Sequence, residues 1–214
     1  MQAHQQTSIN PTGRHRRWHP WVGRVLLSGS AVLSTALWAT ETTGKADVSR
    51  PPVPTVQAST AGMLLVGETL LRIWGFEIYT ARLRAPAGFN PARYEQLPFA
   101  LELNYLRAFD GPDIARRSIE EMQDQTRGGT AIPAEIAQRW QAQLTALFPN
   151  VKKGDRILGV HLPGKGAQFY LNDAPLGTID DGELARRFFG IWMSPATSQP
   201  AMRQALISGG RLDR

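Results

Sequence analysis

Phe99, Leu101, Leu103 and Tyr105 alternate with Ala100, Glu102 and Asn104, the period-two pattern of a strand with one buried face. Two further strand-like runs lie in residues 63–84, MLLVGETLLRIW and FEIYTARL, with Gly75 near their junction. In the second run Phe76, Ile78 and Thr80 alternate with Glu77, Tyr79 and Ala81. After Tyr105 the period changes. Asp110 or Gly111 can cap a helix whose first turn suits Pro112, with Ala115, Ile119 and Met122 on one face. Arg116–Glu120 and Arg117–Glu121 sit four apart on its solvated side, and Gly128-Gly129 ends it. Pro133 opens a second helix with Ile136, Trp140, Leu144, Leu147 and Phe148 in one apolar stripe, stopped by Pro149-Asn150. Short strands are predicted at 157–162, 167–172 and 176–179, separated by PGKG and by Asn172-Asp173-Ala174, which suit tight hairpins. Asp181 can cap a third helix with Leu184, Phe188, Ile191 and Trp192 inward, and a fourth covers about 199–208. Strands, two helices, strands and two helices predict an α+β domain, an antiparallel sheet with a layer of helices on one face.

The N-terminus follows a different pattern. Residues 14–24 are basic, and residues 25–39 (VLLSGSAVLSTALWA) form an apolar run with small residues, the order of a secretory signal. The alternative is an uncleaved inner-membrane anchor, since adding Trp21 and Val22 brings the run near the lower limit for spanning, about 17–20 residues. Residues 40–55 turn polar and then proline-rich (SRPPVPT), which favours an extended linker. The expected organisation is therefore a leader or anchor over 1–39, a linker over 40–55 and one domain over 56–210, in a periplasmic or otherwise exported protein.

Charge and composition narrow the chemistry. The formal net charge is +6, but four arginines and no acid lie in residues 1–39, leaving 20 basic against 18 acidic residues in the rest. Such a nearly neutral domain does not indicate a nucleic-acid partner. Cysteine is absent, and only His161 of the four histidines lies outside the leader, so thiolate chemistry and a histidine-rich metal site are excluded.

Several segments together resemble the chalcone isomerase-like family, particularly its exported bacterial members. They are RIWGFEIYTARL (72–83), FALELNYLRAFDG (99–111), LFPNVKKGDRILGVHLPGKGAQFYLNDAPLGTI (147–179), ELARRFFGIWMSP (183–195) and PAMRQALISG (200–209). The resemblance implies an antiparallel sheet, a covering layer of helices and a cleft between them. It also implies a cofactor-independent chemistry: the plant enzymes close a chalcone into a flavanone by adding a phenolate oxygen to an unsaturated ketone. A guanidinium there holds the phenolate while hydroxyl donors stabilise the developing enolate. The family's arginine falls on Arg72, or on Leu71 if the register is one residue off, and Tyr79 replaces its threonine. Its tyrosine and asparagine have no clear counterpart near Asp113–Ile114 and Glu120–Glu121, and its last hydroxyl residue falls near Ile191. The family also includes members that bind fatty acids without isomerase chemistry.

Arg72 and Tyr79 are thus the candidate catalytic or anion-binding pair, with Tyr105 and Arg107 as further ligand-binding candidates. Against this, Arg72 also reads as a strand-end arginine paired with an exposed acid, and Tyr105 as the last core residue of its alternation. His161 reads as a buried, hydrogen-bonded histidine before a general base. Asp180, Asp181 and Glu183 read as helix N-terminal residues before metal ligands, and Glu120, Glu121 and Asp124 as a solvated helix face. Trp140, Phe188, Phe189 and Trp192 are core at helical spacing or the lining of a cleft. No metal or cofactor is expected. The functional expectation is an exported domain binding a small apolar or anionic amphipathic ligand, fatty-acid-like or phenolic, in the cleft. The alternatives are an active intramolecular lyase of the chalcone isomerase type and a structural protein without a ligand. Membrane contact is expected only through the N-terminal segment if uncleaved.

Overall fold

The computed structural model describes residues 54–126 and 131–211. The expected leader, all of the linker except Pro54 and Thr55, and the Gly128-Gly129 terminator lie outside these residues. Six strands, β1 (Leu64–Ile73), β2 (Phe76–Ala85), β3 (Phe99–Tyr105), β4 (Arg156–Leu162), β5 (Gly166–Leu171) and β6 (Ala174–Ile179), form one sheet in sequence order. Every neighbouring pair is antiparallel. Two hairpins close through two-residue turns with both φ angles positive, Trp74-Gly75 (50° and 81°) and Asn172-Asp173 (49° and 72°), which match the right-handed twist of the strands.

The helices segregate as the two periodicities demand. A short α1 (Val56–Ser59) precedes β1, and a 3₁₀ turn (Pro91–Gln96) links β2 to β3; neither is predicted by the apolar pattern, being too short to show a period. The main layer comprises α2 (Gly111–Asp124), α3 (Ala134–Leu147), α4 (Gly182–Met193) and α5 (Pro200–Ile207). The α4 helix lies over β4 and β5, α5 over β1 and β2, α3 along β6, and α2 packs against α3 and α4.

The core fills the space between sheet and helices. Ala81, Leu83, Phe99, Leu101, Leu103, Ile157, Ala167 and Phe169 supply the sheet's inner face, and Ile119, Met122, Leu144, Leu184, Phe188, Phe189, Trp192 and Leu206 the helices' apolar stripes. Gly159 lets two rings lie directly on the sheet: a methyl group there would come within 2.9 Å of Phe169 and 3.0 Å of Phe189. Phe188 and Phe189, adjacent in α4, meet Phe148, Phe169 and Phe99 at ring-centroid distances of 5.1–6.2 Å.

His161 is buried in this aromatic layer, between Phe99 and Phe189. Its Nδ1 donates to the Leu97 carbonyl at 3.1 Å, which places the proton of the neutral ring on that nitrogen. Burial holds its pKa below the ordinary value, and this outweighs the Leu97 bond and the Glu95 charge, which act the other way. As pH falls, the unfolded chain therefore takes up the proton first. The stability contributed by neutral His161 is complete above about pH 6.5 and is lost progressively below it. Urea midpoints should decline between about pH 7 and pH 5, and His161→Phe should flatten that decline. An equal decline in both proteins would assign the effect to other groups.

The outer face of the sheet is divided. On its β1–β3 side Arg82 bridges Glu68 (2.9 Å) and Glu102 (3.6 Å). On its β4–β5 side Ala100, Leu158, Val160 and Tyr170 form a small apolar cluster against which Val56 and Met63 pack. The Tyr170 hydroxyl donates to the Pro54 carbonyl (2.7 Å) and shares a 2.6 Å hydrogen bond with the Ser59 hydroxyl. The segment from Pro54 to Met63 thus folds as part of the domain.

Candidate functional site

Strand register decides where the candidate residues stand. Tyr79 of β2 lies opposite Leu71 on one side and Tyr105 on the other, and these three share the helix-covered face. The β1–β2 register then shifts: Arg72 pairs with Glu77, leaving Ile78 as the additional residue in β2. Arg72, following Leu71 along a pleated strand, turns to the opposite side. It is 59% exposed and donates to Glu77 at 2.8 Å. Arg107 is also exposed, its guanidinium 4.8 Å from the centre of the Phe76 ring. The structure therefore brings Tyr79 and Tyr105 together, with ring centroids 6.1 Å apart, and leaves Arg72 and Arg107 at the exposed end of the β1–β2 hairpin.

The tyrosine pair forms a polar seam inside the core. The Tyr79 hydroxyl accepts from Trp192 Nε1 at 3.0 Å, tying β2 to α4. Burial raises the pKa of Tyr79, outweighing the Trp192 hydrogen bond that lowers it; the Glu121 charge raises it further and the Arg117 charge lowers it. Tyr105 is raised by burial and then by Tyr79. Both phenols are thus neutral at ordinary pH, and Tyr79 acts as a hydrogen-bond acceptor. The Arg117–Glu121 pair near Tyr79 forms as the spacing predicts, but it is not a fully solvated one. Glu121 is only 12% exposed, and Ser198, at the entry to α5, donates its hydroxyl to the carboxylate at 2.6 Å.

A separate concavity opens where α3 and α4 begin. It has a volume of about 300 Å³, an apolar floor of Ile132, Pro133, Ile136 and Trp140, and a charged rim of Arg139, Asp181, Glu183 and Arg187. Asp181 builds the local frame. One carboxylate oxygen accepts from the backbone N–H of Glu183 and Leu184 (3.0 Å each), capping α4, while the other accepts from Trp140 Nε1 at 2.9 Å. That single side chain holds the start of α4 against the middle of α3. Glu183 accepts from both Arg186 and Arg187, and the Arg186 hydrogen bond is the main cause holding its carboxyl below the usual range. Arg139, which lines the groove, is exposed and bonds to no described residue. Such a site can take the apolar body of a ligand on the floor and an anionic group at the rim.

Residues 48–208 match the chalcone isomerase-like family. The chain belongs to it. Over 135 residues it is 26% identical to an uncharacterized protein of Haemophilus influenzae, an alignment covering 63% of this chain and 63% of that relative. Its fold is similar to the crystal structure of a fatty-acid binding protein of Arabidopsis thaliana, at a TM-score of 0.53 and 11% identity. That superposition covers 69% of this chain and 88% of the other. The six-stranded antiparallel sheet with its helical layer is the chalcone isomerase-like fold.

Within this chalcone isomerase-like domain the positions flagged by resemblance separate. Leu71, not Arg72, faces Tyr79 across the strands. Glu121 lies in the electrostatic surroundings of Tyr79, whereas Asp113 is engaged by Arg116 on the exposed side of α2. Ile191 is buried, has no side-chain hydroxyl to offer, and its backbone carbonyl accepts from the Thr197 hydroxyl at 2.6 Å. The sequence reading missed the Trp192–Tyr79 bond and the pairing of Trp140 with Asp181. Each tryptophan was legible as an apolar-stripe residue, but its N–H needs a partner when buried, and that was the available signal. Arg139 and Arg187 carried no signal beyond their charge.

Proposed function

We propose that this chain is an exported binding protein for an anionic amphiphile of the fatty-acid class, held in the groove between the starts of α3 and α4. One observation carries the reading: an apolar floor of Ile132, Ile136 and Trp140 lies beneath a rim where Arg139 makes no bond to a described residue. An acyl chain gains by leaving water for that floor, at roughly 25 cal/mol per Å² of buried apolar surface. The carboxylate then pairs with Arg139, while Asp181 and Glu183 are already occupied by Trp140, backbone N–H groups and Arg186. The fatty-acid binding activity named for the Arabidopsis protein of similar fold supports the ligand class. Export is supported by the basic 14–24 segment ahead of the apolar 25–39 run.

Native mass spectrometry of the purified full chain should find a fatty-acid adduct, and a fluorescent fatty acid should be displaced competitively by unlabelled ones. Arg139→Ala should weaken that binding roughly tenfold, the lower end for a charge-assisted contact because the site is open to water. Ile136→Glu, which puts a carboxylate into the floor, should weaken it more. Failure to bind any fatty acid, or binding indifferent to both substitutions, defeats the reading.

A further inference from the structure

The β1–β2 hairpin ends in a tip that folding alone does not explain. Trp74 occupies the first position of its two-residue turn at φ 50°, in the left-handed region that a bulky side chain rarely adopts. Asn, Asp or Gly fill that position with little strain, so tryptophan there is locally unfavourable. Burial does not offset the strain. Trp74 and Phe76 are each 57% exposed, and only Leu64 joins them as an exposed large hydrophobic among the described residues. Two large apolar side chains, two positions apart, therefore project from one sharp turn into water.

Cations lie at this end of the sheet. Arg107 lies 4.8 Å from the Phe76 ring centre, and Arg72 flanks the turn on β1. Lys152 and Lys153, both exposed, follow Val151, which bridges to Phe109 at the same end of the sheet. The acids at this end are largely engaged. Glu77 is held by Arg72 and Asp173 by Arg156, and Asp155 accepts from the Lys152 backbone N–H and from Asn172. Asp110 stands at the start of α2. Setting the Arg72–Glu77 and Arg156–Asp173 pairs aside leaves Arg107, Lys152 and Lys153 against Asp110 and Asp155, an excess of one positive charge.

We infer that the Trp74–Phe76 tip is an anchor for the interface of a phospholipid bilayer containing anionic lipid. Indole and phenyl rings partition to the boundary between headgroups and acyl chains, where Trp is enriched because one end of the ring system is apolar and its N–H stays wet. Arginine suits the same depth, its stem among apolar groups and its guanidinium at the phosphates. The modest cationic excess favours an anionic leaflet. A soluble polyanion would use the cations without the exposed rings. This inference is independent of the α3–α4 groove. In it Arg72 and Arg107 flank a surface anchor.

The experiment must report on the tip itself, because the apolar N-terminal segment of the full chain can bind vesicles independently. The chain has six tryptophans, so the Trp74 contribution is obtained by difference between the wild-type full chain and Trp74→Phe. Both are mixed with vesicles of phosphatidylcholine and phosphatidylglycerol in equal parts, with either brominated or ordinary acyl chains. The Trp74 emission should be quenched at least twofold by brominated lipid, and Phe76→Ser and Arg107→Glu, both at exposed positions, should each reduce that quenching while leaving the melting temperature unchanged. Trp74 emission that is the same with brominated and ordinary lipid overturns the proposal, whether or not the chain binds the vesicles through another segment. Wild-type quenching in Phe76→Ser and Arg107→Glu overturns it equally.

Discussion

Replacing Phe189 by alanine should cost about 3–5 kcal/mol in stability, measured from urea unfolding. Phe189 is almost fully buried in α4, with its ring against Phe99 at 5.1 Å, His161 at 5.4 Å and Phe188 at 5.5 Å. It also lies parallel to Phe169 at 6.2 Å. Removing the ring forfeits its transfer free energy and leaves a void, and aromatic neighbours of this size cannot collapse into it without leaving their own contacts. Phe189→Leu should recover about half of the loss. A complementary variant tests the same contact from the other side: Gly159→Ala would drive a methyl group into Phe169 and Phe189 and should cost about 1–3 kcal/mol as overpacking. Phe76→Ala, at the exposed hairpin tip, should change stability by no more than about 0.5 kcal/mol. A loss below about 1 kcal/mol for Phe189→Ala would mean that this ring layer is not the centre of the core.

The contrast between Phe76 and Phe189 shows what periodicity can and cannot convey. Phe189 sits beside Phe188 in an amphipathic pattern, and an inward place follows from helical geometry. Phe76 begins an equally clear alternation, yet the buried face of β2 is that of Tyr79, Ala81 and Leu83. Alternation defines two faces without saying which is covered, and the register shift between Leu71 and Arg72 changes the facing again at the end of the hairpin. Arg72 could be aligned with a family arginine in sequence and still stand in solvent because it follows Leu71 along the pleat, and the shift sets it opposite Glu77 instead of Ile78. The seam around Tyr79 was illegible for another reason. It joins Tyr79, Trp192 and Glu121, and Glu121 accepts from Ser198, 77 positions away in sequence. The fold class survives such gaps because each long element declares its own period. A site assembled from three elements depends on registers and helix rotations that no local window contains.

The PGKG connection between β4 and β5 supplies the second large effect, because its two glycines look alike in sequence and differ in the structure. Gly164 has φ +69°, and a methyl carbon added there would meet no atom within 4 Å, so Gly164→Ala carries only the local cost of the left-handed conformation, about 1 kcal/mol. Gly166 has φ +139°, and a methyl group there would stand 1.8 Å from the Ile179 carbonyl oxygen. The chain at Ile179 is leaving β6 for Asp180 and Asp181, so it cannot retreat freely: Asp181 is fixed by capping α4 and by accepting from Trp140. Relief of the clash would have to break the Gly166–Leu162 end of the hairpin or displace the cap that joins α3 to α4. Gly166→Ala is therefore expected to cost more than about 4 kcal/mol, an amount reserved for forced backbone rearrangement, and to yield little soluble protein. If it accumulates only as unfolded chain, Asp181→Asn in an otherwise normal background separates the causes: its amide oxygen can still cap α4, but its NH2 cannot accept from Trp140, so it loosens the α3–α4 junction without the clash and should cost about 1 kcal/mol. Comparable stability of Gly164→Ala and Gly166→Ala would show that the close approach of β5 to the β6–α4 junction does not constrain the fold.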